Sequence, residues 1–269
     1  MKPVPLESAR APELYGGKSH SLGVAIRGGL PVPEGRALSV HLVNALAAGD
    51  EEAGEWVRGC YNELGGGVAV RSSALGEDSE EASFAGQHMS VLNVHGADKV
   101  VDAVIAVHAS AHTEAALAYR RKVGIEAPPS VAVLVQRLIE PESAGVMFTR
   151  HPVNHADERV IEAAWGLGEA VVSGIIVPDS YRLSRDGAVL DRTPGEKDFR
   201  LRAVPGGGTE EVEVEADLVN ALALDDDKLA RLHALACDCE QFYGEGLDIE
   251  WAFAGGELYL LQCRAITTR

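Results

Sequence analysis

Apolar residues along the chain recur with two periods, and the alternation between them predicts an α+β protein. Val68-Ala69-Val70-Arg71 alternates with period two and reads as a strand. Residues 131–139 are a nearly continuous apolar run, the pattern of a strand covered on both faces. Further strands are expected at 145–149, 159–165, 180–184, 189–192 and 211–215. Helical spacing governs two long stretches. One covers about 98–122, with Gly124 as its stop and Pro128-Pro129 beyond. The other begins at Asp225-Asp226-Asp227, where negative charge suits a helix N-terminus, and runs to Tyr243 ahead of Gly244. Its apolar stripe is Leu229, Leu232, Leu235, Ala236, Cys239 and Phe242. Nearer the N-terminus, Gly16-Gly17-Lys18 opens a short helix, and the Pro-rich segment 30–35 is a rigid turn leading into another. The acidic stretch 77–86 and the triplet Gly206-Gly207-Gly208 are expected to be a mobile loop and a flexible turn.

The last segment is the most informative. Residues 247–253 and 257–264 form two strands around Ala254-Gly255-Gly256. In the first, Asp248, Glu250 and Ala252 share a face; in the second, Gln262 and Arg264 share one. Directly opposed residues of an antiparallel pair point to the same side of the sheet, so loop length decides which side chains meet. A two-residue Gly-Gly loop pairs Glu250 with Leu261 and sends Gln262 to the wrong face. A three-residue loop with Gly256 in the left-handed region puts Glu250, Gln262 and Arg264 together, with Asp248 opposite Gln262. The three-residue loop is the expectation.

Charge narrows the function classes. The 269 residues carry a formal net charge of −17, and such a surface repels nucleic acid. A phosphate ligand stays compatible, provided that its cations are few and clustered. No run reaches the roughly 18 apolar residues of a membrane span, and the start has no apolar signal-peptide region, so cytoplasm is the expected compartment. Of the four cysteines, Cys237, Cys239 and Cys263 sit in apolar segments and read as buried free thiols.

The hairpin face has two readings: a solvated surface with an ion pair, or a Mg²⁺ site. Mg²⁺ takes hard oxygen ligands from one or two side chains and completes its octahedron with phosphate and water. Glu250 and the Gln262 carbonyl are such oxygens, and the Arg264 fork suits a phosphate. Gly16-Gly17-Lys18-Ser19 fails the P-loop pattern, because Pro12 stands where its first Gly belongs. It remains a turn that either lets Lys18 reach a phosphate or merely starts a helix. Arg71 leaves an apolar strand toward an anion, structural or bound. Ser83-Phe84-Ala85-Gly86-Gln87 is either a surface loop or a lid whose backbone N–H groups cover phosphates. His108 and His112 have no acidic companion and do not read as a metal pair.

These segments occur in one order that resembles a known family. The strings are GGKSHSLG, GLPVPEG, VAVRSSALGEDSEEASFAGQ, VLVQRLI, GVMFTRHPV, VIEAAWGLGEAVVSG, VPDSY, and DIEWAF with LYLLQCRAIT. Together they resemble the N-terminal ATP-grasp nucleotide-binding domain of phosphoenolpyruvate synthase and pyruvate phosphate dikinase; rifampicin phosphotransferase carries a similar domain. The resemblance implies an ATP-grasp-type α+β fold of two lobes, 1–137 and 138–269, with the nucleotide between them, and ATP and Mg²⁺ as cofactors. It implies that Lys18 and Arg71 contact phosphates and that the lid is formed by Ser83, Ala85, Gly86 and Gln87. By the same resemblance, the segment containing Gln136 and Leu138 matches the hinge whose backbone reads the adenine edge, and Glu169 matches an acid that contacts the nucleotide near the ribose. The resemblance likewise implies that Glu250 and Gln262 match the Mg²⁺ ligands and Arg264 the arginine on the transferred phosphates, so Lys18, Arg71 and Arg264 are the expected catalytic cations. In the family this domain moves the β-phosphoryl of ATP onto a histidine of a separate swivelling domain, leaving AMP. The final acceptor is pyruvate or, in the antibiotic-modifying members, a drug hydroxyl.

The sequence departs from the family in three places. The region ahead of Arg71 is shorter, Met89 and Ser90 replace an acid and a Thr, and Ser19 and His20 replace small residues after the Lys. The chain given ends at Arg269, so the phosphohistidine and acceptor domains are expected on a separate partner protein, with no role for nucleic acid or membrane. Direct phosphorylation of a small molecule and non-enzymatic nucleotide sensing are the alternatives.

Overall fold

The computed structural model of the protein describes residues 2–74, 89–122 and 129–266. The chain divides into two compact units. The first comprises Met1–Ile26, Pro33–Leu138 and Val204–Gly208; the second comprises Arg27–Val32, Ile139–Ala203 and Thr209–Arg269.

Unit 1 contains β1 (Val4–Pro5), α1 (Pro12–Arg27), β2 (Gly35–Leu38), α2 (Val40–Ala47), α3 (Glu51–Leu64), β3 (Val68–Ala74), β4 (Ser90–Val94), α4 (Ala97–Ser110), α5 (Glu114–Lys122) and β5 (Val131–Arg137). Its antiparallel sheet has the order β1-β2-β5-β3-β4. Period-two alternation sends Val68 and Val70 of β3 and Val133 and Val135 of β5 to one face, where Leu42, Leu46, Val57, Leu64, Val100, Val104 and Val107 from α2, α3 and α4 cover them. α2 and α3 start on side-chain caps: Ser39 accepts from Leu42 N, and Asp50 from Ala53 N at 2.9 Å. Arg71, Ser73 and Gln136 point to the opposite face, and the turn before α1 proper packs there. Gly16 has φ of +75°, and a Cβ on it would stand 1.8 Å from the Ser73 carbonyl oxygen. Only glycine permits that approach.

Unit 2 contains β6 (Ser143–Phe148), β7 (Glu158–Trp165), α6 (Glu169–Val172), β8 (Asp179–Ser184), β9 (Val189–Thr193), β10 (Phe199–Ala203), β11 (Thr209–Glu213), α7 (Asp226–Tyr243), β12 (Leu247–Ala254) and β13 (Glu257–Ala265). Its main sheet, again antiparallel, runs β13-β12-β6-β7-β8-β9, and β10 pairs with β11. α7 begins on Asp225, which accepts from Lys228 N, and stops at Gly244 with φ of +85°. Leu229, Leu232, Leu235, Ala236 and Cys239 are buried beside the strand face that carries Ile249, Trp251 and Phe253. The fully buried Lys197–Asp179 ion pair ties irregular segments to β8: Asp179 also accepts from Gly195 N at 2.8 Å and Ala223 N at 2.7 Å. Every charge in that cluster meets a partner, which is the condition for burying it.

Three expectations are corrected. The helix read over 98–122 is two helices, because hydroxyls intervene: Ser110 Oγ donates to Val107 O, and Thr113 Oγ1 accepts from Ala116 N to restart the spiral. The turn at 30–35 leads first into strand β2 and only then into α2. Phe242, assigned to the apolar stripe of α7, is 44% exposed, because it lies in the last turn, where the helix is ending.

Gly16→Ala should lower stability by about 2 kcal/mol or more, since it adds both φ strain and a backbone clash. Urea denaturation followed through Trp56 of unit 1 measures this; wild-type stability in the variant would contradict the close approach.

Candidate functional site

The hairpin of β12 and β13 brings Glu250, Gln262 and Arg264 to one face by a different device from the one expected. Ala254 pairs with Glu257, so the loop is the two residues Gly255 and Gly256. Their φ values of +58° and +78° suit the mirror-image turn that matches strand twist. The three-residue loop is therefore wrong. With a regular ladder, Glu250 would face Leu261; instead Trp251 pairs with Leu260 and Glu250 with Gln262, leaving Leu261 as the extra residue of a β-bulge. Asp248 consequently lies opposite Arg264, not Gln262.

Register extends this face across the sheet. Gln262, Glu250, Val146, Glu162 and Ser180 form one transverse row, and Arg264, Asp248, Phe148, Val160 and Arg182 form the next. Arg264 donates to a single oxygen of Asp248 through Nε at 2.9 Å and Nη2 at 2.7 Å. Burial pushes the Asp248 carboxyl up; Arg264 pulls it down, and Glu250 adds repulsion. The Glu162 carboxyl is also raised, by burial first and Asp248 second. Carboxylates crowded into a half-buried row with an amide oxygen beside them are a donor set that a divalent cation would relieve. Among the described residues no three or more His, Cys, Asp or Glu form a closed metal cage. The pair Glu250–Gln262 fits instead an open site, one that leaves coordination positions for phosphate and water.

Unit 1 builds a second set of cations. The Ser73 hydroxyl donates to Tyr15 O at 2.8 Å and accepts from Ser19 N at 3.0 Å, which locks the glycine turn onto β3. Lys18 Nζ donates to Ser72 O at 3.2 Å. Arg71, two residues before Ser73, emerges on the same face of that strand. Lys18 and Arg71 are thus brought to one region of unit 1. On β5, the Gln136 side chain is buried and donates to Pro33 O, while Leu138 N donates to Gly67 O. Glu169 is exposed at the start of the four-residue α6 in unit 2. Ser83, Ala85, Gly86 and Gln87 lie outside the described residues.

Sequence reasoning missed Glu162. Its signal was an acid in the middle of the apolar strand 158–165, legible as a site residue only once the register across β6 is known.

Comparison with known proteins now bears on this geometry. The family described as "Pyruvate phosphate dikinase, AMP/ATP-binding domain" matches residues 50–269. The chain belongs to this family. Among its relatives, a probable phosphoenolpyruvate synthase of Methanocaldococcus jannaschii is 43% identical over 204 residues, which cover 75% of this chain and 17% of that protein. A rifampicin phosphotransferase of Bacillus subtilis is 36% identical over 203 residues, covering 74% of this chain and 23% of that one. The chain spans 17–34% of the length of the curated relatives it matches. Among solved structures, the VanG D-Ala:D-Ser ligase of Enterococcus faecalis has a TM-score of 0.44 at 14% identity, covering 98% of this chain and 55% of that one. As an AMP/ATP-binding domain of α+β architecture, the chain has the fold class and the ligand class that its motifs imply.

The raised Glu162 carboxyl gives a signed prediction. An acid whose folded value is raised contributes stability that is fully present below the unfolded value and lost as pH rises through the folded one. Without divalent cation, Glu162→Gln should therefore melt higher than wild type near pH 7, and the gain should disappear by about pH 4. Melting curves at the two pH values check this; an equal difference at both would contradict it.

Proposed function

We propose that the chain is a Mg-ATP-binding phosphotransferase module that moves the β-phosphoryl group of ATP to a histidine of a separate partner domain. The observation that carries this reading is the bulged hairpin, which opposes Glu250 to Gln262 and sets the Asp248–Arg264 pair beside them. Membership in the AMP/ATP-binding family supports the nucleotide. Glu250 and Gln262 would hold Mg²⁺, which supplies charge neutralisation at the phosphates. Asp248 orients Arg264, whose guanidinium stabilises the negative charge developing on the transferred group, while Lys18 and Arg71 bind phosphate oxygens. Phosphoryl transfer is mostly positioning and electrostatic stabilisation, so a few fixed cations suffice.

The remaining roles are proposed on the family resemblance: Ser83, Ala85, Gly86 and Gln87 cover the phosphates, the backbone around Gln136 and Leu138 reads adenine, and Glu169 contacts the nucleotide. Lys18 and Arg71 share a face of the unit 1 sheet, which supports a joint role at the phosphates. A cytoplasmic setting accompanies this reading, since ATP is the substrate. No helix among the described residues is long and apolar enough to cross a membrane.

The test is product analysis with labelled ATP and candidate partner proteins carrying an acceptor histidine. The reading predicts AMP and a labelled partner, with Arg264→Ala slower by on the order of 10²-fold. ADP as the sole nucleotide product would sink it. AMP formed with a small-molecule acceptor and no partner would establish direct phosphorylation, and tight ATP binding without turnover under any acceptor would establish a sensor.

A further inference from the structure

The face of the unit 2 sheet opposite the acid row carries a second cluster that the nucleotide chemistry does not use. His233 and Cys237 lie one turn apart on α7 and meet Arg159 of β7, whose side chain is 1% exposed. Arg159 Nη1 donates to His233 Nδ1 and to Arg185 O, and Nη2 donates to Cys237 Sγ at 3.2 Å and to Glu240 at 3.2 Å. A guanidinium has no lone pair to accept with, so His233 Nδ1 is the accepting nitrogen and the ring hydrogen sits on Nε2. That nitrogen is 3.7 Å from Cys237 Sγ. The sulfur therefore faces two N–H donors, one of them cationic. The Glu240 carboxylate nearby is already shared between Arg159 and Arg185, the latter at 2.6 Å. Burial, together with the charges of Arg159 and Arg185, lowers the His233 value, which keeps the ring in this neutral tautomer. Among the described residues Arg159 Nε is buried with no hydrogen-bond partner, so the guanidinium that contacts the thiol through Nη2 keeps one donor unused. Access completes the case: Cys237 is partly exposed, whereas Cys60, Cys239 and Cys263 are buried.

We propose that Cys237 is a peroxide-sensitive thiol whose sulfenic acid is held by Arg159 and His233. The sulfur attacks one oxygen of a hydroperoxide and forms an S–O bond as the O–O bond breaks. Sulfur is oxidised by two electrons, the peroxide is reduced, and the thiol proton leaves with the other oxygen as water or an alcohol. Donors around the sulfur hold charge on it during attack and afterwards bind the new oxygen, the environment that distinguishes a reactive cysteine from an inert buried one.

The experiment treats the folded chain with substoichiometric hydrogen peroxide in the presence of a carbon-acid sulfenate trap and maps the adducts by peptide mass spectrometry. Cys237 should be labelled about tenfold or more over each of the other three cysteines, and Cys237→Ser should abolish that adduct. His233→Ala opens access yet removes a donor, so it should slow labelling by about threefold or more. Labelling spread evenly over the four cysteines of the wild-type chain overturns the proposal, as does an unchanged or faster rate in a folded His233→Ala variant. Should that variant melt, shown by equal labelling of all its cysteines, His233→Asn takes its place with the same criterion.

Discussion

Antiparallel strands place opposed residues on one side of a sheet, and the two-residue turn at Gly255-Gly256 fixes the parity of every pair that follows it. Carried on without interruption, that parity would set Glu250 against Leu261 and scatter the polar side chains of β13 over the apolar core beneath α7. The extra residue Leu261 absorbs the mismatch. Beyond it, Cys263 opposes Ile249 in the core while Gln262 and Arg264 stand with Glu250 and Asp248 on the other side. Bulges cost a ladder bond and bend the strand, and they recur where a side chain must be re-aimed. Here the re-aimed set contains the proposed metal ligands and the arginine proposed for the phosphates.

Unit 1 solves a related problem with a backbone approach. The lysine and arginine proposed for the phosphates are concentrated beside one sheet face of a chain whose net charge is −17. The Gly16 turn seated on Ser73 brings Lys18 against β3, and the alternation of β3 delivers Arg71 to the same face. Arg71, Asp248, Glu250, Gln262 and Arg264 are held by strands, so ladder hydrogen bonds set their positions, while Lys18 is held by α1 and the glycine turn seated on β3. Fixed positions of this kind suit the preorganised charge of the proposed site.

Much of this was legible in the sequence, and the exceptions have physical causes. Period-two alternation marks β3, a nearly continuous apolar run marks β5, and short strand patterns mark β6, β7 and β8, while the two-residue β1 and the short β2, preceded by Pro31 and Pro33, carry too little period to read. β4 hides behind Asn93, a left-handed residue at φ of +55° that bulges the strand and breaks its alternation. The hairpin is half legible: its converging residues follow from alternation, but a three-residue loop and a bulge after a tighter turn supply the same parity change, and alternation alone does not distinguish them. Glu162 stayed invisible because no local pattern tells which residue of another strand lies across β6. Cys237 reads as buried because it sits in an apolar segment; it is partly exposed because it lies off the buried stripe of α7 that Leu232, Leu235, Ala236 and Cys239 form.

In the proposed function, the hairpin holds a divalent cation on which nucleotide binding depends. Calorimetric titration of ATP into the chain, with and without Mg²⁺, tests it most directly when run on wild type, Glu250→Gln and Gln262→Ala. Wild-type ATP affinity should rise on adding Mg²⁺, and each substitution should remove most of that gain, by about tenfold or more in Kd. Equal ATP affinity with and without Mg²⁺ in the wild type, or an undiminished Mg²⁺ effect in both variants, would contradict it.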